Sequence, residues 1–348
     1  MALRTVYVNH TNGLASPSDA QAQNSAIGYN TWANAEAGEQ DDLVTAEISL
    51  VIECVDTTTD TTALQINGST TSSTYDIKLQ VSSGARNDGT KGTGAKISAA
   101  VATGVVYPRD DNITIDGLEI GDNISGSGIY FCQFESISNL KIKNCLVYGN
   151  DSHGVYKNSS ANSVTGLDFH DNFIFNNSGS GIYFIYHASD TGNAYNSVAY
   201  YNNTDESGFR GGFRATSTAI IFKNNAAFDN FNADYYSTTG DGASDEKNAS
   251  SDATGDTGLI NLTTADQFTD VSTPTDPDLS LKSDADLVGA GVGPSVDANV
   301  STTSINGETR SGATTDIGAW LYASGGSSSI LPNKWNTGCF GGCLNGCF

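Results

Sequence analysis

Five eleven-residue lines decide the architecture: ITIDGLEIGDN (113–123), LKIKNCLVYGN (140–150), LDFHDNFIFNN (167–177), NAYNSVAYYNN (193–203) and IIFKNNAAFDN (220–230). They follow one another at 26 or 27 residues and stack without a gap, each ending in asparagine: Asn123, Asn150, Asn177, Asn203 and Asn230. Apolar residues recur in register within them. Ile115, Ile142, Phe169, Tyr195 and Phe222 form one expected inward column, and Ile120, Val147, Ile174, Tyr200 and Ala227 another. Alternation at period two turns the intervening residues outward. A strand–turn–strand unit this short cannot bury its apolar face alone, so neighbouring units must stack into a continuous core. The terminal asparagines are expected to form a ladder, because Asn tolerates the left-handed bend between strands and its amide can bond the rung above and below.

Around this stack the composition is that of an all-β chain. Apolar residues make up 38% and charged residues 16%, with 15 Tyr and 14 Phe against six Pro, a mix unlike that of disordered segments. Asp and Glu outnumber Lys and Arg 39 to 16, for a net charge of −23. This argues against a broad nucleic-acid interface, which needs clustered cations. No stretch reaches the length of a membrane span. MALRTVYVNHTNG lacks the apolar run of a secretory signal. The expectation is a protein assembled inside a host cell and released with a particle; a secreted or cell-surface protein is the alternative.

Four segments follow. Residues 1–110 are read as an N-terminal cap (a helix within 20–45) and early irregular rungs at 48–55, 64–67, 77–81 and 95–99. Residues 111–237 are the regular stack, and 238–322 a closing β segment with strands at 258–262 and 266–271. Residues 323–348 are a Gly/Ser linker and a Cys/aromatic tail. In each regular rung a further strand follows a Gly/Ser turn: GSGIYF (126–131), HGVYK (153–157), GSGIYFI (179–185), GFRGGF (208–213) and ADYYS (233–237).

Asn-terminated rungs of this period resemble the right-handed, single-stranded parallel β-helix of pectate lyases and many phage tailspikes. VSSGARNDGT (81–90) ahead of NITIDGLEI (112–120), with DPDLSLKSDADLVGAGV (276–292) and ATTDIGAW (313–320), is similar to the opening and closing segments of β-helix proteins encoded by tailed phages and environmental bacteria. The resemblance implies the fold, and a homotrimer, as many spikes of this fold are. It specifies function poorly, since the fold hosts lyases, hydrolases and inert adhesins. Asp316–Ile317–Gly318–Ala319 is expected to make a tight bend packing Trp320 on the last rung.

The outward column Asp116, Lys143, His170, Asn196 and Lys223 is the densest titratable strip. Asp168 and Asp171 beside it make Asp168, His170 and Asp171 the catalytic candidates of a lyase or glycosidase, while the same mixture also describes a solvated face. Tyr130, Tyr156 and Tyr183, with Arg210 and Arg214, are the glycan-binding candidates. Phe209 or Phe213, and Tyr235 or Tyr236, continue their series. No metal ligands are assigned and no cofactor is expected. A bound calcium ion is considered at 240–246 or Asp276 and Asp278, neither of which has the spacing of a calcium loop. Cys54, Cys132 and Cys145 read as core residues. The tail spaces Cys339, Cys343 and Cys347 by four without the usual zinc knuckle, and its Trp335, Phe340, Leu344 and Phe348 read as an apolar plug anchoring the chain to other virion proteins. The function expected is a structural component of a tailed-phage particle (spike, fibre or capsid appendage) that meets the host surface or its glycans. The alternative is a polysaccharide depolymerase.

Overall fold

The computed structural model describes residues 2–12, 28–204, 211–216, 220–237, 246–256 and 258–322. The chain is an all-β parallel β-helix. Its strands pair with those one turn earlier and later, giving two eight-stranded sheets and one seven-stranded sheet among the described residues. One turn runs from Ile113–Asp116 in the first sheet through Glu119–Gly121 in the second to Ser127–Phe131 in the third. The next turn begins at Lys141–Lys143, with Ile142 opposite Ile115. Inward side chains of the three sheets form one core from Val6 to Ala227. The α-helix Trp32–Glu39, N-capped by Thr31, packs against the strands Ala2–Val8, Ile48–Cys54 and Leu64–Ile66 and sends Trp32 into that core. A second, shorter helix occupies Leu43–Ala46. No helix among the described residues is long and apolar enough to cross a membrane.

Two left-handed corners explain how each turn bends. One left-handed residue follows the outward column in every line: Gly117, Asn144, Asp171, Asn196 and Asn224 all have positive φ, at the fifth position of each line except 193–203, where Asn196 is the fourth. So does the residue before each ladder asparagine: Asp122, Gly149, Asn176, Tyr201 and Asp229. Gly, Asn and Asp are the residues that enter this region most readily. The bend therefore belongs to these positions, and the ladder asparagines beside them serve hydrogen bonding instead.

The fourth rung corrects the sequence reading by one residue. Phe169 and Phe222 pair with Ala194, not Tyr195, and Ile174 pairs with Ala199, not Tyr200. The ladder passes through Asn202 rather than Asn203: Asn150 Nδ2 donates to Asn177 Oδ1, Asn177 Nδ2 to Asn202 Oδ1 (both 2.8 Å), and Asn202 Nδ2 to Asn230 Oδ1 (2.9 Å). Asn203 instead takes positive φ and donates to Phe231 O. Two Phe rings above and below leave room for only a small side chain between them, which Ala194 supplies and Tyr195 would not. A second ladder, unforeseen from sequence, runs from Asn172 through Ser197 and Asn225 to Asn248 at the other corner. Glycine lines the first ladder for a steric reason. A Cβ at Gly128, Gly154, Gly181 or Gly212 would fall 2.6–2.9 Å from a ladder amide nitrogen.

The closing segment lies lengthwise along the outside of the second sheet. Phe268, Leu279, Leu281, Leu287, Ile305, Ile317 and Ala319 build a second core on that sheet's outward residues, including Tyr148, Phe173, Phe175, Tyr200 and Phe228. Two antiparallel pairs hold it: Phe268–Asp270 with Asp278–Leu281, and Gly291–Val292 with Thr314–Thr315. Residues 258–262 are turns rather than the expected strand, and Thr264–Gln267 is a helical turn. The bend at Asp316 forms as expected, its carboxylate accepting from Gly289 N (2.7 Å) and Tyr322 N (2.6 Å). Trp320, however, does not sit on the last rung. Its ring packs over Gly89 and beside Phe173, midway along the stack.

Candidate functional site

On the first sheet the outward column reads Asp116, Lys143, His170, Tyr195 and Lys223. The slipped fourth rung replaces Asn196, which is fully buried in the left-handed corner. The structure does bring Asp168, His170 and Asp171 together. His170 Nδ1 lies 2.7 Å from Asp171 Oδ2, and its Nε2 lies 3.7 Å from Asp168 Oδ1. Their roles differ sharply. Asp171 is fully buried and forms an ion pair with Arg310, also fully buried, whose other donors reach Thr303 O, Gly318 O and Ala319 O. Asp168 is partly exposed and salt-bridged to Lys141 at 2.8 Å. A general acid–base pair needs two carboxyl groups flanking one sugar bond. Here one is shut inside the protein, committed to a guanidinium.

Beside this strip a cleft of about 410 Å³ separates Arg86, Asp116, Lys143 and Asn144 from residues 303–307 of the closing segment. Asp116 is its buried carboxylate. Burial works to raise its pKa, but the charges of Arg86 and Lys143 and the Asn144 amide outweigh that and hold it below the ordinary value. It therefore stays ionised at neutral pH, and its cations are engaged by it.

The third sheet carries a different column. Gln65, Tyr107, Tyr130, Tyr156, Tyr183, Arg214 and Tyr236 stand one above another on its outer face. Successive tyrosine rings are 5.4, 5.6 and 5.3 Å apart from Tyr107 to Tyr183. The Arg214 guanidinium stands 4.0 Å from the Tyr183 ring centre and 5.3 Å from that of Tyr236. Of the sequence candidates, Tyr130, Tyr156, Tyr183 and Arg214 thus share one line, which the structure extends to Tyr107 and Tyr236. Tyr107 and Tyr130 are nearly covered, the Tyr130 hydroxyl accepting from Asn158 Nδ2, whereas Tyr156, Tyr183, Arg214 and Tyr236 are half-buried. Phe213 points into the core. Phe209, Arg210, the 323–348 tail with Trp335, Phe340, Leu344 and Phe348, and 240–245 of the considered calcium loop lie outside the described residues. Arg214 has no carboxylate partner among the described residues, and its Nε makes no hydrogen bond.

No family model matches the chain, and comparison with curated proteins finds no relative. Among solved structures, the crystal structure of pectate lyase Pel9A aligns over 93% of this chain and 97% of that one, at 13% identity and a TM-score of 0.43. So distant a likeness carries no activity across.

Proposed function

We propose that this chain is a glycan-binding β-helical shaft without hydrolytic or lyase activity, whose binding face is the outer column of the third sheet. The observation that carries this reading is the half-exposed line Tyr156–Tyr183–Arg214–Tyr236. Tyrosines repeated at the ~4.8 Å rung spacing offer apolar ring surface with a polar tip, suited to sugar rings. A guanidinium among them with no carboxylate partner among the described residues, in a chain of net charge −23, suits a carboxylate- or sulfate-bearing sugar. The burial of Asp171 supports the non-catalytic half of the reading.

The setting proposed is an appendage of a tailed-phage particle, a spike, fibre or capsid decoration, homotrimeric and held to other virion proteins through Trp335, Phe340, Leu344 and Phe348. Its support is the sequence likeness at 81–90 and 276–292. Removing residues 330–348 tests the anchor: a truncated chain that still enters particles refutes it.

Binding is tested by titrating the chain with acidic and neutral polysaccharides. Tyr183→Ala and Arg214→Ala should each weaken binding to the acidic ones by about tenfold, the equivalent of roughly 1.4 kcal/mol. Release of reducing ends or unsaturated uronates that disappears in Asp168→Asn would overturn the proposal in favour of a depolymerase.

A further inference from the structure

We infer, resting on the glycan-binding reading above, that the third-sheet column selects a linear, sparsely charged glycan. One acidic unit sits at Arg214, neutral units sit at Tyr156, Tyr183 and Tyr236, and the sugar chain runs along the helix axis. The register sets this direction. Tyr156 pairs with Tyr183, Tyr183 with Arg214 and Arg214 with Tyr236, each at the centre of its strand. The four side chains therefore form one row over three rung steps, ~14 Å at the usual parallel-strand spacing. An extended pyranose chain advances by about one such step per sugar. Laid along the row it meets one side chain per unit, whereas laid across it meets a single one. The row is closed at one end, where Tyr130 is only 6% exposed and its hydroxyl accepts from Asn158 Nδ2. At the other end Tyr236 lies in the last strand of the sheet among the described residues.

Ring geometry decides what each rung offers. Tyr156 and Tyr183 are nearly parallel, with 17° between their planes and centroids 5.3 Å apart. From the opposite neighbouring rung the Arg214 guanidinium lies 4.0 Å from the Tyr183 centroid. Tyr183 thus turns one face toward Tyr156 and the other toward Arg214, and the His153 ring stands steeply inclined to it at 5.2 Å. Its outer edge and hydroxyl are left for a ligand, so a sugar is gripped there by hydrogen bonds more than by stacking on the ring face. The guanidinium, held between the Tyr183 and Tyr236 rings, offers its outer N–H groups to one acidic group. Charge then sets the density of acids along the glycan. Arg214 is the one charged side chain in the column from Gln65 to Tyr236, in a chain of net charge −23. A glycan with an acid on every sugar gains one ion pair here and sets its other charges against an acidic protein, within the ~8 Å reach of charge at physiological salt. A glycan with one acid among neutral sugars gains the same pair without that repulsion.

The test titrates the full-length chain with three linear tetrasaccharides: the gellan repeat, which carries one carboxylate; tetramannuronate, which carries one on every sugar; and a neutral glucomannan fragment. The gellan repeat should bind at least about tenfold more tightly than either of the others. Its octasaccharide should bind within about threefold of it, because the row is already filled and only a statistical gain remains. Tyr183→Phe, which keeps the ring and the stack but lacks the hydroxyl, should weaken binding of the gellan repeat by roughly fivefold. Circular dichroism establishes that the variant is folded. Tetramannuronate bound as tightly as the gellan repeat, affinity that climbs steeply from tetrasaccharide to octasaccharide, or undiminished binding by Tyr183→Phe would overturn this inference and leave glycan binding standing. Failure of every oligosaccharide and of the parent polymers to bind would overturn the glycan-binding reading along with it.

Discussion

The meeting of Asp171 and Arg310 shows how a single residue can be chemically promising in sequence and structural in fact. Asp171 occupies a left-handed corner that only a few residue types accept, and its charge is spent on holding the closing segment. Removing one partner of a buried ion pair strands the other charge away from water. Arg310→Met should therefore cost about 3–5 kcal/mol in chemical denaturation, with Asp171→Asn in the same chain recovering a substantial part. A second buried carboxyl links stability to pH. Glu36 in the first helix accepts from Asn67 N and Gln40 Nε2, yet burial outweighs those bonds and raises its pKa from 4.5 to about 7. Such a group binds its proton more tightly in the folded state. Its contribution is complete below pH 4.5 and is lost as pH rises through 7. Glu36→Gln should stabilise the chain by on the order of 1 kcal/mol above pH 7 and have almost no effect near pH 4; denaturation curves at the two pH values check it.

At the scale of the rung, most of the fold was legible because period-two columns repeat, and the one slip has a physical cause. The doublet Asn202–Asn203 offers two candidates for one ladder position, and aligning on the second placed Tyr195 and Tyr200 in the core, where aromatic residues looked plausible. What decided the register was volume between flanking Phe rings, which a line-by-line reading does not weigh. The two residues should separate cleanly in experiment. Asn202 donates to Ile174 O and Asn230 and accepts twice from Asn177, all in the interior. Asn202→Ala should cost about 2–4 kcal/mol, since several buried groups lose partners. Asn203→Gly keeps the left-handed backbone accessible and loses one bond, so about 1 kcal/mol or less is expected. Equal costs would mean the ladder runs elsewhere. The tyrosine column was legible for the same reason as the core, because Tyr130, Tyr156 and Tyr183 occupy equivalent places in similar strands. Tyr107 was missed because its strand belongs to an irregular early rung. The Asp171–Arg310 pair was not legible at all, since 139 residues separate its members and no repeat relates them.

For the whole molecule, the closing segment changes what kind of stack this is. In a bare solenoid each rung touches only its neighbours, so stability is a sum of local terms and ends can fray independently. Here residues 259–322 run along the side and bind several rungs at once. Asp297 reaches Lys223, Val292 bonds Asn224, Arg310 holds Asp171, and Trp320 packs near Gly89 and Phe173. Opening any one of those rungs therefore also breaks contacts that the segment makes with it. The full chain should unfold as one transition, with fluorescence and far-ultraviolet circular dichroism coinciding. A chain ending at residue 258 would expose Tyr148, Phe173, Phe175, Tyr200 and Phe228 as one apolar face along the second sheet. It should bind a hydrophobic dye, tend to associate, and unfold over a broader range with the two probes no longer coincident. If the shortened chain stayed monomeric, bound no dye and kept a single sharp transition, the segment would be an accessory to the stack, and the cooperativity would reside in the ladders and inner core alone.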